Sequence, residues 1–354
     1  MSLPTGNFCE VVRSTCKACV DNSPVKVSQQ GIRSFLEKLD KHQFEELAVD
    51  TPMHMPVKFE TVADEINFIA LIDLLNFGSG YRIPLHQLAQ RGAFDTIRFG
   101  AMSFHIGGTP LTAETFKSIT AFEVSETFQF PIDREVHPPN MPFVTMTEPT
   151  ELKPLADGIA SVLNSTGEFL HKHNYKDLAS FILDVTKSGG QPPSAVKLVE
   201  HLVRALPGLH DFYQIDGADV YLFKKAQIMT YHLWMFFKDQ LPDHFNFSDI
   251  NELTIFSDNV IPTLLEHMGV IEIPKEWKDD MEADIDLGET RATILRAAAV
   301  IACEDIVRHT RSLQPLGPVK NMSEGDLDVY LWRLGKVGEY RSVPRFQLRD
   351  TVMF

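Results

Sequence analysis

Wherever this chain keeps a hydrophobic period for more than a few residues, the period is that of a helix, and the stretch from Asp219 to Gly269 shows it most sharply. It reads DVYLFKKAQIMTYHLWMFFKDQLPDHFNFSDINELTIFSDNVIPTLLEHMG. In its first half Lys224, Gln227, Ile228, Tyr231, Trp234 and Met235 recur on one helical face. A face turned to the core stays apolar along its length, yet this one opens with a lysine and a glutamine before it turns aromatic. Pro242 closes that helix, Phe245 to Asp249 read as a loop, and Ser248 or Asp249 starts a short helix through Leu253. Asp258 then stands as an N-cap before the apolar face Ile261, Leu264, Leu265 and Met268, with Gly269 where a C-terminal glycine belongs. A lysine-bearing helix and a carboxylate at a helix start thus lie about a hairpin apart. Such a pairing can hold an anion and do chemistry beside it.

The remaining stripes place helices at 8–20, from Ser28 to about Leu47, at 62–77 behind the cap Thr61, and at 111–119 behind Thr112. Further helices are expected at 155–173, 176–187, 194–206, 287–313 and 326–335. Strand signals are few and short, so the expected class is all-α, mainly helical with few short strands. The 354 residues make one large domain or two ordinary ones, and the chain reads as one over 1–354, with an N-terminal segment at 1–24. Thr51 to Lys58 form a proline-broken connector. Residues 120–154 are aromatic and proline-rich (FQFPIDREVHPPNMPF) without a clear period. They read as an insertion or a linker between two lobes, and their phenylalanines favour an ordered loop.

Charge narrows the partners. Forty-eight acidic residues against 33 basic ones leave a formal net charge of −15. A protein that grips nucleic acid through its phosphates leans the other way, so the expectation is a small-molecule substrate and no stable nucleic-acid partner. Of the four cysteines, Cys16 and Cys19 make a lone C-x-x-C with no second pair to complete a zinc site. No metal and no cofactor are expected, and the thiols read as reduced, in a cytoplasmic protein. The opening MSLPTGNFCEVVRSTC lacks the pattern of a signal peptide, and no apolar run reaches the roughly 18 residues of a membrane span. The histidines show no H-E-x-x-H, and G-x-S-x-G, G-x-x-x-x-G-K-[ST] and G-x-G-x-x-G are absent. Serine-nucleophile hydrolysis, NTP hydrolysis and dinucleotide redox chemistry are therefore disfavoured.

One more charge is out of place. Asp73 interrupts the apolar face Ile66, Ile69, Ala70, Leu74 and Phe77, with Asn76 close behind and Gly78-Ser79-Gly80 ending the helix. An aspartate among apolar residues needs a partner. It either ties down a neighbouring loop or faces a pocket with Asn76 and reads a ligand's donors.

The segment D-x-x-x-F-K-K-A-Q-I from Asp219 and L-T-x-F-x-D-x-x-x-P from Leu253 to Pro262 resemble the queuosine salvage protein family. So do N-F-x-x-x-x-D-x-L-N-F from Asn67 to Phe77 and L-D-x-Y-L-W from Leu327 to Trp332, in matching order. The resemblance runs from about residue 25 to the end. It implies an all-helical fold like that of DNA glycosylases and hydrolysis of queuosine 5′-phosphate, releasing the 7-deazaguanine base queuine for salvage into tRNA modification.

The chemistry that the resemblance implies suits the residues that carry it. Cleaving an N-glycosidic bond develops positive charge on the sugar, which an ionised carboxylate stabilises while it orients or deprotonates water. Asp258 matches the aspartate of the family's F-x-D-Y-R-x-P and takes that role; otherwise it is a plain N-cap. Lys224 matches the lysine of Y-K-R-A-Q and would hold the 5′-phosphate or organise the carboxylate. Lys225 replaces the arginine there and loses its fork geometry. Without these roles the lysine pair would be a solvated helix start. Gln227 and Tyr231, on the same face, join the substrate-binding set. Asp73, Asn76 and Phe77 would form the base pocket, the aspartate reading the purine-like edge and the ring stacking. Asp328 reads as support.

Departures from the family pattern cluster near these positions. His232 stands where the family has an aspartate, Gly78-Ser79-Gly80-Tyr81 where it has F-W, and Asn259-Val260 where it has Y-R. Phe346-Gln347-Leu348-Arg349 replaces H-R-x-R, and Ser28-Gln29-Gln30 replaces D-S-G. Two readings follow: a divergent hydrolase, or a catalytically silent helical relative that binds a nucleotide or RNA.

Overall fold

Among the described residues the chain is mainly helical, with three short antiparallel strand pairs and an isolated bridge between Asp286 and Gln347. The structure, a computed structural model, describes residues 2–48, 57–137, 139–140, 143–187, 192–312 and 316–354. Most of the proline-broken connector, 51–56, lies outside the described residues.

Helices start where capping side chains stand. Thr61 and Asp64 cap each other's amides ahead of Val62–Leu74, and Thr112 caps Ala113–Ser118. The stripe behind Ser28 is two helices, Gln29–Lys38 and Lys41–Leu47. Leu39 turns extended between them, and the Asp40 carboxylate takes the Gln43 amide at 2.6 Å. A capping aspartate inside one apolar stripe has started a new helix.

Residues 120–154 are more regular than an ordered loop. Thr120 and Glu123 form a capping box for the helix Ala121–Phe128, and Asp133–Val136 pairs antiparallel with Met146–Pro149. The strands show no alternation because almost every residue in them is exposed, so neither face selects apolar side chains.

Two compact units divide the chain. One comprises Met1–Lys58, Val185–Arg204 and Leu209–Leu348; the other Phe59–Asp184, Ala205–Gly208 and Arg349–Phe354. Helix Gly288–Thr310 runs through the first, packed by Phe8–Asp21, Val260–His267 and Glu324–Leu334. Strand Lys26–Val27 pairs there with Ile271–Glu272, and a Cβ on Gly31 would collide with the Gly269 carbonyl. In the second unit Lys153–Lys172 packs against Ala113–Ser118 and Ala121–Phe128. No helix among the described residues is long and apolar enough to cross a membrane.

Candidate active site

The lysine helix begins later than its motif. Phe212–Ile215 and Ala218–Tyr221 form a hairpin, so Asp219 belongs to a strand. Phe223 then takes a left-handed turn (φ 51°), and the helix Lys224–Phe237 starts at once. Asp211 holds this turn together. Its carbonyl accepts the amides of Leu222 and Phe223 at 3.0 and 3.2 Å, and its Oδ2 accepts the Lys224 amide at 2.9 Å. The same carboxylate receives both ends of the Arg296 guanidinium, at 2.8 and 2.7 Å, and neither side chain is exposed at all. A buried bidentate pair of this kind has satisfied partners as well as opposite charge.

The extended segment leading to Asp258 is gripped one residue at a time. Gln227 accepts the Thr254 amide at 2.8 Å and donates to the Thr254 hydroxyl and the Leu222 carbonyl. Glu324 accepts the Ile255 amide at 2.9 Å and is itself paired with Arg13. Asp328 accepts the Phe256 amide at 2.9 Å, and Arg296 Nε donates to the Ser257 carbonyl at 2.8 Å. Three helices, Lys224–Phe237, Gly288–Thr310 and Glu324–Leu334, thus supply the anchors. Gly325 permits the close packing, since a Cβ there would run into the Tyr231 ring.

Asp258 ends this segment with its carboxylate oxygen accepting the amides of Val260 at 2.6 Å and Ile261 at 3.3 Å. The helix proper is Val260–His267, flanked by Asn259, so the capping side chain lies one residue before the formal cap. Asp258 is nearly buried, with the Ser257 hydroxyl beside it enclosed and without a hydrogen-bond partner among the described residues.

Both lysines are buried, which removes the solvated-helix-start alternative. Burial lowers the Lys224 pKa to about 8, opposed most strongly by the negative charge of Asp258 and more weakly by Asp211 and Asp328. Burial and the neighbouring Lys224 push Lys225 well below the usual lysine range. Asp328 is pushed well above the usual carboxylate range by burial and by Asp258, against the pull of the Phe256 amide, Lys224 and His232. His232, the departure from the family's aspartate, is therefore close enough to Asp328 to act on its charge.

Asp258, Lys224, Asp328 and His232 thus share one buried electrostatic site. Tyr231 packs its ring on Phe256 and Trp234 at the edge of that segment. The Gln227 amide is engaged within the protein as described, and Lys225 is fully enclosed.

Asp73, Asn76 and Phe77 lie in the other unit. Asp73 is fully buried near the end of Val62–Leu74, and Asn76 is half-buried. Phe77 lines a cavity of about 230 Å³ with Tyr81, Leu155, Gly158, Arg349 and Val352. Tyr81 and Arg349, both from stretches that depart from the family pattern, therefore meet at one cavity.

Asp211 and Arg296 had escaped the sequence reading. The signal was present for the arginine: in ATILRAAAVIAC it is a lone charge in an apolar run, and such a charge needs a partner. Among the described residues no cluster of three or more His, Cys, Asp or Glu is placed to hold a metal ion.

A sequence profile described as queuosine salvage protein matches residues 134–351, more than half of the chain. The motif from Asn67 to Phe77 lies outside that match, and the motifs around Lys224, Asp258 and Asp328 lie within it. A queuosine 5′-phosphate N-glycosylase/hydrolase from Sphaerobacter thermophilus is 30% identical over 157 residues, 44% of this chain and 46% of its own length. The protein of the same description from Mus musculus is 27% identical over 184 residues, 51% of this chain and 52% of its own. That from Schizosaccharomyces pombe is 24% identical over 144 residues, 40% of this chain and 39% of its own. The chain spans about half the length of the curated relatives it matches.

Proposed function

Because the chain belongs to the queuosine salvage protein family, we propose that it is a hydrolase that cleaves the N-glycosidic bond of queuosine 5′-phosphate and releases queuine, in the cytoplasm. The observation that carries this reading is that Lys224 and Asp258, on separate elements, are both buried, with the Asp258 charge acting on the Lys224 ammonium. In the reaction the bond between the anomeric carbon and the base nitrogen breaks, and its electron pair leaves with the base. Asp258 faces the positive charge that develops on the sugar and accepts a proton from the water whose oxygen bonds to the anomeric carbon. A proton returned to the base nitrogen completes the balance. Lys224 holds the 5′-phosphate as a charged donor.

Gln227 supports the Thr254 segment in this reading, Lys225 backs Lys224, and Tyr231 supports the same wall. The base-reading roles of Asp73, Asn76 and Phe77 rest on the resemblance alone.

The direct test is incubation of purified protein with queuosine 5′-phosphate and chromatography for free queuine. Release supports the hydrolase; binding of the nucleotide without release makes the protein a silent relative. A pH profile tests the lysine. Its ammonium prevails below about 8 and is lost as pH rises through that value. The KM for the nucleotide is therefore expected to climb above pH 8, whereas the KM for the nucleoside, which has no phosphate to hold, stays level. A climb common to both substrates would detach the effect from the phosphate.

A further inference from the structure

We infer that the buried Asp211–Arg296 pair is a positioning device that sets Lys224 and Asp258 in one frame, an inference that rests on the roles proposed for those two residues. The connection is continuous. Lys224 donates its amide to Asp211, Asp211 takes the Arg296 fork, and Arg296 Nε holds the carbonyl of Ser257, the residue bonded to Asp258. Arg296 Nη1 also reaches the Tyr213 hydroxyl at 3.3 Å, which ties the frame to the hairpin ahead of the lysine helix.

Stability alone is a poor reason for such a pair. Two fully buried charges carry a desolvation cost that their attraction only offsets, and apolar residues of similar volume often hold a fold as well. The fork does what an apolar contact does not: it fixes direction at two elements that are 85 residues apart in sequence. A lysine at 296 would keep the charge, but its single nitrogen cannot reproduce the bonds to both Asp211 oxygens and to the Ser257 carbonyl together. Asp211 also acts on the Lys224 ammonium directly. The charges that act on that ammonium are those of Asp258, Arg296, Asp211 and Asp328, with Lys225 beside it in sequence, and the Asp211 charge favours the protonated form.

Arg296→Lys and Asp211→Asn, measured beside Asp258→Asn, test the inference by thermal unfolding, kcat, KM and a pH profile on queuosine 5′-phosphate. Arg296→Lys is expected to fold and to lose about tenfold or more in kcat, as misplaced reacting groups do, with KM within about threefold of wild type. Asp211→Asn is expected to move the alkaline limb below its wild-type position, because a negative charge near Lys224 is gone. Should either single variant not fold, the double variant Asp211→Asn with Arg296→Gln removes both charges and leaves hydrogen-bonding groups, and the same loss of kcat is expected of it. A folded Arg296→Lys, or folded double variant, with a kcat within about twofold of wild type overturns the inference. So does an Asp211→Asn limb that stays in place. A wild-type rate in Asp258→Asn would instead overturn the reading of the site beneath it.

Discussion

Asp258→Asn is expected to fold like the wild type and to release base at least roughly 100-fold more slowly, the scale on which general-base losses operate. Folding is preserved because asparagine retains a side-chain oxygen, which can still accept the amides of Val260 and Ile261. What it loses is the negative charge, and with it the two tasks proposed for Asp258: stabilising the sugar's developing positive charge and accepting a proton from water. Thermal unfolding beside single-turnover base release separates the two effects. A folded variant that turns over normally would pass the role to another carboxyl. Asp328 then comes first, since it shares the buried site. Asp249 is a poorer alternative: its carboxylate is engaged by the Ser194 hydroxyl and the amides of Ala195 and Val196 at the start of helix Ala195–Ala205.

Lys224→Met should separate nucleotide from nucleoside. If the ammonium holds the 5′-phosphate, kcat/KM for queuosine 5′-phosphate falls roughly 100-fold, within the range for removing one partner of a buried charge pair. The nucleoside lacks that contact and is expected to lose little. Equal losses on both would assign Lys224 to the fold or to Asp258 alone. Lys225→Met is the control. It lies about 100° further round the helix, and it replaces a fully buried lysine by an apolar chain of similar length. Any loss caused by Lys225→Met should therefore be the same for both substrates, unlike the selective loss expected of Lys224→Met.

Most of what could be read from the sequence was local. Apolar stripes gave the helices, and Thr61 and Thr112 gave their starts, because a cap acts on amides two or three residues away. Asp258 was legible for the same reason, and the lysine helix because its face carried polar residues where a core stripe has none. What escaped was set by partners distant in the chain. Both lysines are buried, although adjacent helical positions point about 100° apart, so covering both takes packing from elsewhere in the chain, which no local pattern reveals. The Asp211–Arg296 pair joins a loop to the middle of a helix, and no spacing rule connects them. The capping box at Thr120 and Glu123 was readable and was hidden only by the proline-rich text after it.

The grip on residues 254–257 has an evolutionary consequence. Three of its four anchors, Glu324, Asp328 and Arg296, bind peptide amides or a carbonyl rather than the side chains of Ile255, Phe256 and Ser257. Every residue except proline presents the same amide and carbonyl, so those anchors do not care which side chain the segment bears. Mutation can reshape the wall beside Asp258, trading ring for aliphatic or hydroxyl for methyl, while the carboxylate stays where the three helices put it. A site held by its backbone can thus drift toward a new ligand without first having to rebuild the position of its carboxylate.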